Sequence, residues 1–254
     1  MADIYFAKVP IRNAYLRVRN RLARGDAFSN FFDRYGINLV LDVGANKGQY
    51  ARHLIQSGYR GRIVSFEPLP SAFEKLRLNR WSFSDWQVEP YALGSEDSTA
   101  TLNVSGNSQS SSLRGMLPAH VDAAPEAAYV DSCEVQVRRL ESLFDQYYRE
   151  GDSCCMKLDV QGHEHEVLAG AKGCLEKITV VQMELSMRHL YEGAQTWDEA
   201  IASMESLGYR LMLLVPGFCD HATGEMMQAD GVFVREEAVE ALRSDTHCEA
   251  VTSR

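Results

Sequence analysis

The order of apolar and polar positions predicts strands that alternate with amphipathic helices from Leu39 onward. Apolar or alternating runs predict strands at 39–41, 62–66, 86–93, 98–104, 134–138, 153–159, 179–185, 209–215 and 231–234. Helical spacing and capping residues predict helices at 49–57, 71–79, 140–149, 164–171 and 196–207. We expect the last two strands to pair around a loop. Strands separated by helices of this length are typical of βαβ units, so the pattern predicts an α/β domain with a largely parallel sheet.

The N-terminal residues 1–36 depart from this rhythm. Arginines alternate with apolar residues between 11 and 24, which predicts a basic amphipathic helix, and residues 28–35 are expected to form a second helix. We interpret residues 1–36 as a helical cap docked on the core. A surface that meets an anionic substrate or a membrane is the alternative.

An internal segment and the C-terminal tail also lack the pattern. Residues 105–131 are rich in Ser, Gly, Ala and Pro and show no clear period. Because loops of this length inside a domain are usually functional or disordered, we expect either a lid over the site or a flexible loop. A short helix followed by disorder is expected in 237–254. Residues 37–236 then form one main domain.

Composition and charge narrow the class of protein. The chain has 254 residues, 45% hydrophobic and 24% charged, the profile of an ordinary soluble globular protein. The net charge of −9 opposes broad nucleic-acid binding, because phosphate contacts need an excess of Lys and Arg. Six cysteines without a C-x-x-C pair predict reduced thiols and a cytoplasmic protein. The sequence shows neither a run of about 18 apolar residues nor a signal-peptide core, so no transmembrane segment is expected.

The stretch 39–50, LVLDVGANKGQY, carries the first chemical signal. An apolar run ends at Asp42, a turn with Gly44 and Gly48 follows, and a helix is expected next. Such an arrangement brings backbone N–H groups and a helix N-terminus to one point, and glycine lets a ligand approach the main chain closely. The spacing D-x-G-x-x-x-G differs from the G-x-G-x-x-G of dinucleotide binders and from a P-loop. We predict a nucleoside-containing cofactor here; a plain strand-to-helix turn is the alternative.

Residues at the ends of neighbouring strands support this prediction. In open α/β sheets, ligands bind beyond the carboxyl ends of the strands. Those predicted ends hold Asp42, Glu67, Ala92, Leu93, Asp159 and Glu184. Glu67 lies 25 residues after Asp42, where a carboxylate can accept hydrogen bonds from both ribose hydroxyls. Ala92 and Leu93 offer a small apolar surface for an adenine.

Six segments, in this order, make the chain resemble the FkbM family of S-adenosylmethionine-dependent methyltransferases, which has the class I methyltransferase fold. They are LVLDVGANKGQY (39–50), RIVSFEPLPSAFEKL (62–76), ALGSEDSTATL (92–102), LESLF (140–144), MKLDVQGHEHEVLAGA (156–171) and VVQMEL (180–185). The resemblance covers about residues 37–235. The family's usual fourth-strand motif is D-V-E-G-x-E, and here Gln161 takes the place of the first Glu. His163 and His165 flank Glu164.

The resemblance implies a Rossmann-like, seven-stranded, mostly parallel sheet with helices on both faces and the last strand antiparallel. It also implies S-adenosyl-L-methionine as the cofactor. The residues that it assigns to this cofactor are Asp42, Gly44, Asn46, Gly48 and Gln49 for the methionine part, Glu67 for the ribose, and Ala92 and Leu93 for the adenine, with Ala45 and Pro68 as further cofactor-binding residues. Carboxylates near the cationic sulfonium suit it electrostatically.

Methyl transfer to an oxygen requires the acceptor to lose a proton, so a base or a metal is needed. Asp159 is the leading candidate base, and His163 is the second because histidine titrates near neutral pH. Glu184 either orients the acceptor or satisfies a strand end. A divalent metal held by these three residues is not favoured, because their spacing matches no defined ligand pattern. His165 is expected to be solvated, and Lys157 to face the other side of the sheet.

These observations predict a methyltransferase that acts on a hydroxyl of a sugar, glycan or secondary metabolite. The acceptor class rests on the resemblance. N-methylation of a small molecule or peptide, and a non-catalytic cofactor-fold module in a biosynthetic assembly, are the alternatives. A nicotinamide dehydrogenase is opposed by the missing G-x-G-x-x-G. The expected partner is a small-molecule or glycan acceptor rather than a nucleic acid, and a homo-oligomer is left open.

Overall fold

The computed structural model describes residues 28–80 and 83–252. Its strands are β1 (Leu39–Val43), β2 (Arg62–Phe66), β3 (Trp86–Glu89), β4 (Ala92–Leu93), β5 (Ser98–Ser105), β6 (Tyr129–Arg138), β7 (Cys154–Leu158), β8 (Ile178–Ser186), β9 (Tyr209–Pro216) and β10 (Gln228–Arg235). Its α-helices are α1 (Phe28–Arg34), α2 (Gln49–Gln56), α3 (Pro70–Asn79), α4 (Pro118–Ala123), α5 (Phe144–Tyr147), α6 (Glu164–Gly170), α7 (Trp197–Ser206) and α8 (Glu236–Thr252). The predicted basic helix lies outside the described residues, whereas the second predicted helix is α1.

Seven of these strands form one sheet in the order β3-β2-β1-β7-β8-β10-β9. Neighbours from β3 to β8 run parallel, and β10 runs antiparallel to both β8 and β9. This arrangement confirms the predicted sheet, including its antiparallel last strand and the pairing of the last two strands. The central strand β1 is buried along all five residues because β2 and β7 flank it and helices cover both faces.

The alternating side chains of the sheet divide the core into two layers. Leu39 and Leu41 pack on one face in a cluster that includes Phe144 of α5 and Val167 of α6. Val40 points to the opposite face, in a cluster that includes residues of α2 and α8. Helices therefore cover both faces, as predicted.

A second, three-stranded sheet follows the order β4-β6-β5. The predicted single strand 86–93 is wrong, because it divides into β3, which pairs with β2, and β4, which pairs with β6. Pro90 lies between the two parts, and proline cannot donate a ladder hydrogen bond. The break lets the chain leave one sheet and enter the other.

Four other segments differ from the prediction. The helix expected at 140–149 is a 3₁₀ turn, Leu140–Ser142, followed by the single turn of α5, because the backbone is already extended at Tyr148. Strand β6 begins at Tyr129, five residues before the predicted start, because the full length of β5 pairs with it. Residues 105–131 contain α4, and the C-terminal segment continues as α8 to Thr252 rather than as a short helix.

No helix within residues 28–80 and 83–252 is long and apolar enough to cross a membrane. The described cysteines 133, 154, 155, 174 and 219 are free thiols.

Candidate active site

A row of polar side chains crosses the sheet on the face covered by α2. Ser65, Asp42, Lys157 and Gln182 are register partners on β2, β1, β7 and β8. Asp42 is fully buried, accepts a hydrogen bond of 3.0 Å from Ser65 Oγ, and lies 3.4 Å from Lys157 Nζ. Burial raises the pKa of Asp42, against the opposing effect of Lys157. Strand alternation therefore directs Asp42 into the sheet's own polar row, beneath the glycine turn.

The glycines of the turn serve the packing of the protein itself. Gly44 has φ +78°, and a Cβ there would overlap the main-chain carbonyl of Asp159. Gly48 has φ +80°, and a Cβ there would come within 2.7 Å of the Trp86 ring. The N–H groups of Gly44 and Ala45 both donate to the carbonyl of Phe66. Close packing between the turn and β2, β3 and β7 therefore requires glycine at positions 44 and 48.

Glu67 follows β2 and faces the turn. Its Oε2 accepts the N–H of Asn46 at 2.7 Å, and its Oε1 accepts the N–H of Leu69 at 2.7 Å. The residue is only 6% exposed, and burial raises the pKa of Glu67 to about 7. It is a fixed carboxyl group with unused lone pairs at the end of a parallel strand.

A narrow cavity of about 50 Å³ lies beside Glu67. The predicted cofactor residues Gly44, Asn46, Glu67, Pro68, Ala92 and Leu93 line it, together with Asp159 and His163. Leu102 of β5 and residues 108, 109 and 111–113 of the Ser-rich segment complete the walls, and the sequence assigned none of them to the cofactor. Apolar walls next to a buried carboxyl group suit an adenine and its ribose.

A wider cleft of about 1190 Å³ lies on the α2 side of the same turn. The predicted residues Gly44, Ala45, Asn46, Gln49, Asp159 and Glu184 line it. The predicted residue Gly48 lines neither space. Since Gly44, Asn46 and Asp159 line both spaces, the narrow cavity and the cleft meet at the turn.

Asp159 and Glu184 are joined through Gln161. The Gln161 Nε2 donates to Asp159 Oδ1 at 2.7 Å and to Glu184 Oε2 at 2.7 Å. Its Oε1 accepts a hydrogen bond of 2.6 Å from the Tyr191 hydroxyl. Glu184 Oε2 also accepts from Gln228 Nε2 at 3.1 Å. Burial, aided by the nearby Asp159 charge, raises the pKa of Glu184 well above its ordinary value.

Lys157 belongs to this site, contrary to prediction. Its side chain does point away from Met156 and Leu158, but the cleft lies on that same side of the sheet. The Lys157 Nζ lies 3.1 Å from Asp159 Oδ2. Although burial lowers it, the carboxylates of Asp159 and Asp42 raise the pKa of Lys157 above its ordinary value. The ammonium group therefore stays charged beside Asp159.

The two histidines of the motif lie apart from Glu184. His163 lines the narrow cavity but not the cleft, and its Nδ1 is 3.6 Å from Glu166 Oε2. Burial lowers the pKa of His163, which favours the neutral ring at pH 7. His165 is exposed, as expected. The described part of the chain contains no group of three or more His, Cys, Asp or Glu side chains that could hold a metal.

The residue pattern of a single strand does not predict several of the residues that line the cleft. Gln182 lies two positions before Glu184 on β8, so a period of two could have placed both on one face. Gln228 reaches Glu184 only because β10 pairs antiparallel with β8. His120 of α4 also lines the cleft; it is buried against Phe218, and burial lowers the pKa of His120 to about 4. Nothing in the local sequence marks that histidine.

The sheet order and the antiparallel β10 are those of the class I methyltransferase fold, with a glycine turn after β1 and a carboxyl group after β2. The chain belongs to the FkbM methyltransferase family, since the model of the Methyltransferase FkbM domain matches residues 42–211. The resemblance that the sequence motifs indicate is thereby confirmed.

The sequence identity of the chain to individual relatives is low. The chain is 27% identical over 161 residues to 2-O-methyltransferase NoeI of Sinorhizobium fredii (strain NBRC 101917 / NGR234), a match that covers 61% of this chain and 66% of NoeI. It is similar to methyltransferase FkbM from Methylobacillus flagellatus KT, with a TM-score of 0.46 and 16% identity over 77% of this chain and 43% of that one. Aeropyrum pernix fibrillarin, solved with bound S-adenosyl-L-methionine, gives a TM-score of 0.45 and 14% identity over 78% of this chain and 66% of fibrillarin.

Proposed function

We propose that this enzyme methylates a hydroxyl group of a polyhydroxylated acceptor, such as a sugar, a glycan or a hydroxylated secondary metabolite. The observation that carries the proposal is the density of side-chain amides and carboxylates around one large cleft. Asn46, Gln49, Asn107, Gln109, Gln161, Gln182 and Gln228 line it, together with Asp159, Glu184 and Asp230. Amides both donate and accept hydrogen bonds, so several of them suit several hydroxyls. The relative NoeI is named a 2-O-methyltransferase.

The residues around the narrow cavity fit S-adenosylmethionine. Glu67 would accept hydrogen bonds from the ribose hydroxyls, Leu93 and Leu102 would contact the adenine, and Asn46 and Gln49 would face the methionine part. When bound, this cofactor supplies a methyl group on a positively charged sulfur. Asp159, which lines both spaces, adds negative charge where they meet.

Asp159 is the proposed proton acceptor. As the acceptor oxygen gains the methyl group, its proton passes to a carboxylate, and the side chain of Asp159 is 36% exposed to the cleft. Lys157 and Gln161 each donate to it, which stabilises its negative charge and fixes its orientation. Glu184 is deeper and has a raised pKa, so its proposed role is to hold the acceptor rather than to take the proton.

The Ser-rich segment is the proposed lid. Asn46 Nδ2 donates to the carbonyl of Ser108 at 2.9 Å, and Ser112 Oγ donates to the carbonyl of Gln161 at 2.7 Å. Ligand pockets usually measure roughly 300–1,000 Å³, so a cavity of about 50 Å³ requires this segment to move outward before an adenosine can enter. Its closure would then shield the reaction from water.

The test separates cofactor from acceptor. Calorimetry should show binding of S-adenosylhomocysteine but not of NAD. If S-adenosylhomocysteine does not bind, the proposal is wrong. Incubation with methyl-labelled S-adenosylmethionine and separate panels of sugars, other polyols and amines should label the hydroxyl compounds. Labelling of amines alone would favour N-methylation, for which the acidic residues of the cleft offer a cation site.

The Asp159→Asn variant tests the proposed base. It should bind S-adenosylhomocysteine within about threefold of the parent but turn over about 10²–10⁴ times more slowly, the usual contribution of a general base. The matched variant Asp145→Asn changes a side chain that is 91% exposed and should leave turnover intact. Full activity of Asp159→Asn would remove this residue from the mechanism.

A further inference from the structure

Gln161 is held in place more firmly than a surface loop residue. Its φ is +57°, a left-handed backbone conformation that side chains other than glycine rarely adopt. The residue is 7% exposed, and its main-chain carbonyl accepts the hydroxyl of Ser112. Strained conformations persist where the surroundings enforce them, and they cluster at functional sites. The conformation therefore indicates that this side chain has a functional role.

The amide is oriented, not merely buried. The hydroxyl of Tyr191 donates to Gln161 Oε1, so the oxygen of the amide faces Tyr191 and its nitrogen faces the cleft. Both hydrogens of the nitrogen are then used, one on Asp159 and one on Glu184. Two carboxylates that accept from one donor atom are close enough to repel each other. The amide offsets this repulsion and so allows both groups to be ionised at the same time.

We propose that Gln161 is a positioning residue whose uncharged amide bridges Asp159 and Glu184, and so aligns the proton acceptor without a cation between the two acids. The proposal rests on the proposed function for its catalytic meaning, but the bridge itself can be tested without an acceptor. A glutamate at this position would add a third carboxylate and remove both donors. Three carboxylates around one point are oxygen ligands of the kind that divalent cations prefer.

Other charged groups surround the bridge. Lys157 of β7, Asp42 of β1, Asp230 of β10 and Glu164 of α6 act electrostatically on the Asp159–Glu184 pair, and Tyr191 faces it from the following loop. All of them remain in variants at position 161. A difference in pH-dependent stability between such a variant and the parent therefore reports the contribution of the amide.

The first experiment measures how the stability difference changes with pH. Gln161→Met removes the two donors but keeps the length of the side chain, and urea unfolding is followed at pH 5 and pH 8. Without the bridge, Asp159 and Glu184 bind a proton more tightly in the folded protein, so the variant is destabilised more at high pH than at low pH. If the pKa rises by one unit, the folding equilibrium constant of the variant should fall about tenfold more at pH 8 than at pH 5, each relative to the parent. A purely structural role would give equal losses at both pH values, and that result would overturn the proposal.

Tyr191→Phe provides a second variant in case Gln161→Met does not fold. It frees the amide to turn, so it should show the same pH-dependent loss with smaller amplitude. The exposed Gln146, changed to Met, is the control and should show no pH-dependent difference. A pH-independent loss in Tyr191→Phe would also overturn the proposal.

The second experiment titrates Mn²⁺ alone into the protein and follows the free ion by electron paramagnetic resonance. Gln161→Glu should bind one Mn²⁺ at least tenfold more tightly than the parent and than Gln146→Glu. Equal binding by the parent, or none by a folded Gln161→Glu, would overturn the proposal. Neither experiment measures turnover, so failure of the proposed methylation of hydroxyls would show in the acceptor screen and not here.

Discussion

At the scale of single residues, Glu67 determines how the enzyme should respond to pH. Its two oxygens each accept a backbone N–H, from Asn46 and from Leu69, which orients the carboxyl group toward the narrow cavity. Because burial raises the pKa of Glu67 to about 7, the group changes its charge across the physiological range. A ribose hydroxyl donates a stronger hydrogen bond to the ionised form.

The first prediction concerns S-adenosylhomocysteine binding at pH 6 and pH 8. Glu67 is mostly protonated at pH 6 and mostly ionised at pH 8, so the parent should bind about three to ten times more tightly at pH 8. Glu67→Gln should be about tenfold weaker than the parent at pH 8 and lack this pH dependence. Titration calorimetry measures both, with Glu74→Gln, an exposed residue of α3, as the control that keeps the parent's behaviour. Identical pH profiles for Glu67→Gln and the parent would contradict a ribose role for this residue.

The sequence locates the ends of the strands but not the direction of each side chain. Glu67 and Asp159 could be predicted to meet because parallel strands end at one edge of the sheet. Ala92 and Leu93 also line the cavity, but they reach it from the second sheet, which the sequence did not predict. The burial of Asp42 could not be predicted, because it depends on the register that sets this residue beside Lys157. Partners that come from other strands or from helices depend on topology, which short motifs do not contain.

At the scale of elements, the turn between β1 and α2 packs against the ends of two neighbouring strands, β2 and β7. Gly44 brings this turn against the main chain of Asp159, at the end of β7. Main-chain hydrogen bonds from the turn to Phe66 attach it to β2 as well. The turn thus holds the end of β2 and the proposed base, Asp159, in fixed positions relative to each other.

The second prediction compares Gly44→Ala with Gly151→Ala in urea unfolding. Gly151 has φ +87°, and among the described residues nothing lies within 4 Å of a Cβ built there. Its replacement should therefore cost only the left-handed backbone penalty, about 1–2 kcal/mol. Gly44→Ala should add overpacking of about 1–3 kcal/mol against the Asp159 carbonyl. Equal losses of unfolding free energy in the two variants would show that the close approach is not maintained in solution.

Local pattern predicts most elements of the main sheet because each buried strand carries its own apolar run. It fails where pairing, rather than the strand itself, decides the structure. Asp131 and Ser132, near the start of β6, are polar and exposed, and they are strand only because β5 lies alongside them. Pro90 is a local signal, but which sheet the chain enters after it depends on β6, about 40 residues later.

At the scale of the whole molecule, the two sheets meet at the narrow cavity. Glu67 and Pro68 follow β2 of the seven-stranded sheet, whereas Leu93 and Leu102 belong to the three-stranded one. The Ser-rich segment joins β5 to β6 and reaches back to the glycine turn through Asn46. A ligand in this cavity would therefore contact both sheets and the proposed lid at once.

The third prediction follows from that arrangement and is measured by amide hydrogen exchange with and without S-adenosylhomocysteine. A ligand at about 100 times its Kd stabilises the folded state by about 2.7 kcal/mol, which slows exchange through global opening about a hundredfold. Because the cavity is shared, protection should appear at residues 43–49 and 66–69, and also at 92–94 and 108–113 of the smaller sheet and its lid. Homocysteine alone, which lacks the adenosine, should not protect 92–94. Protection confined to the seven-stranded sheet would mean that the smaller sheet does not form the adenine wall, and that the Ser-rich segment does not close over the cofactor.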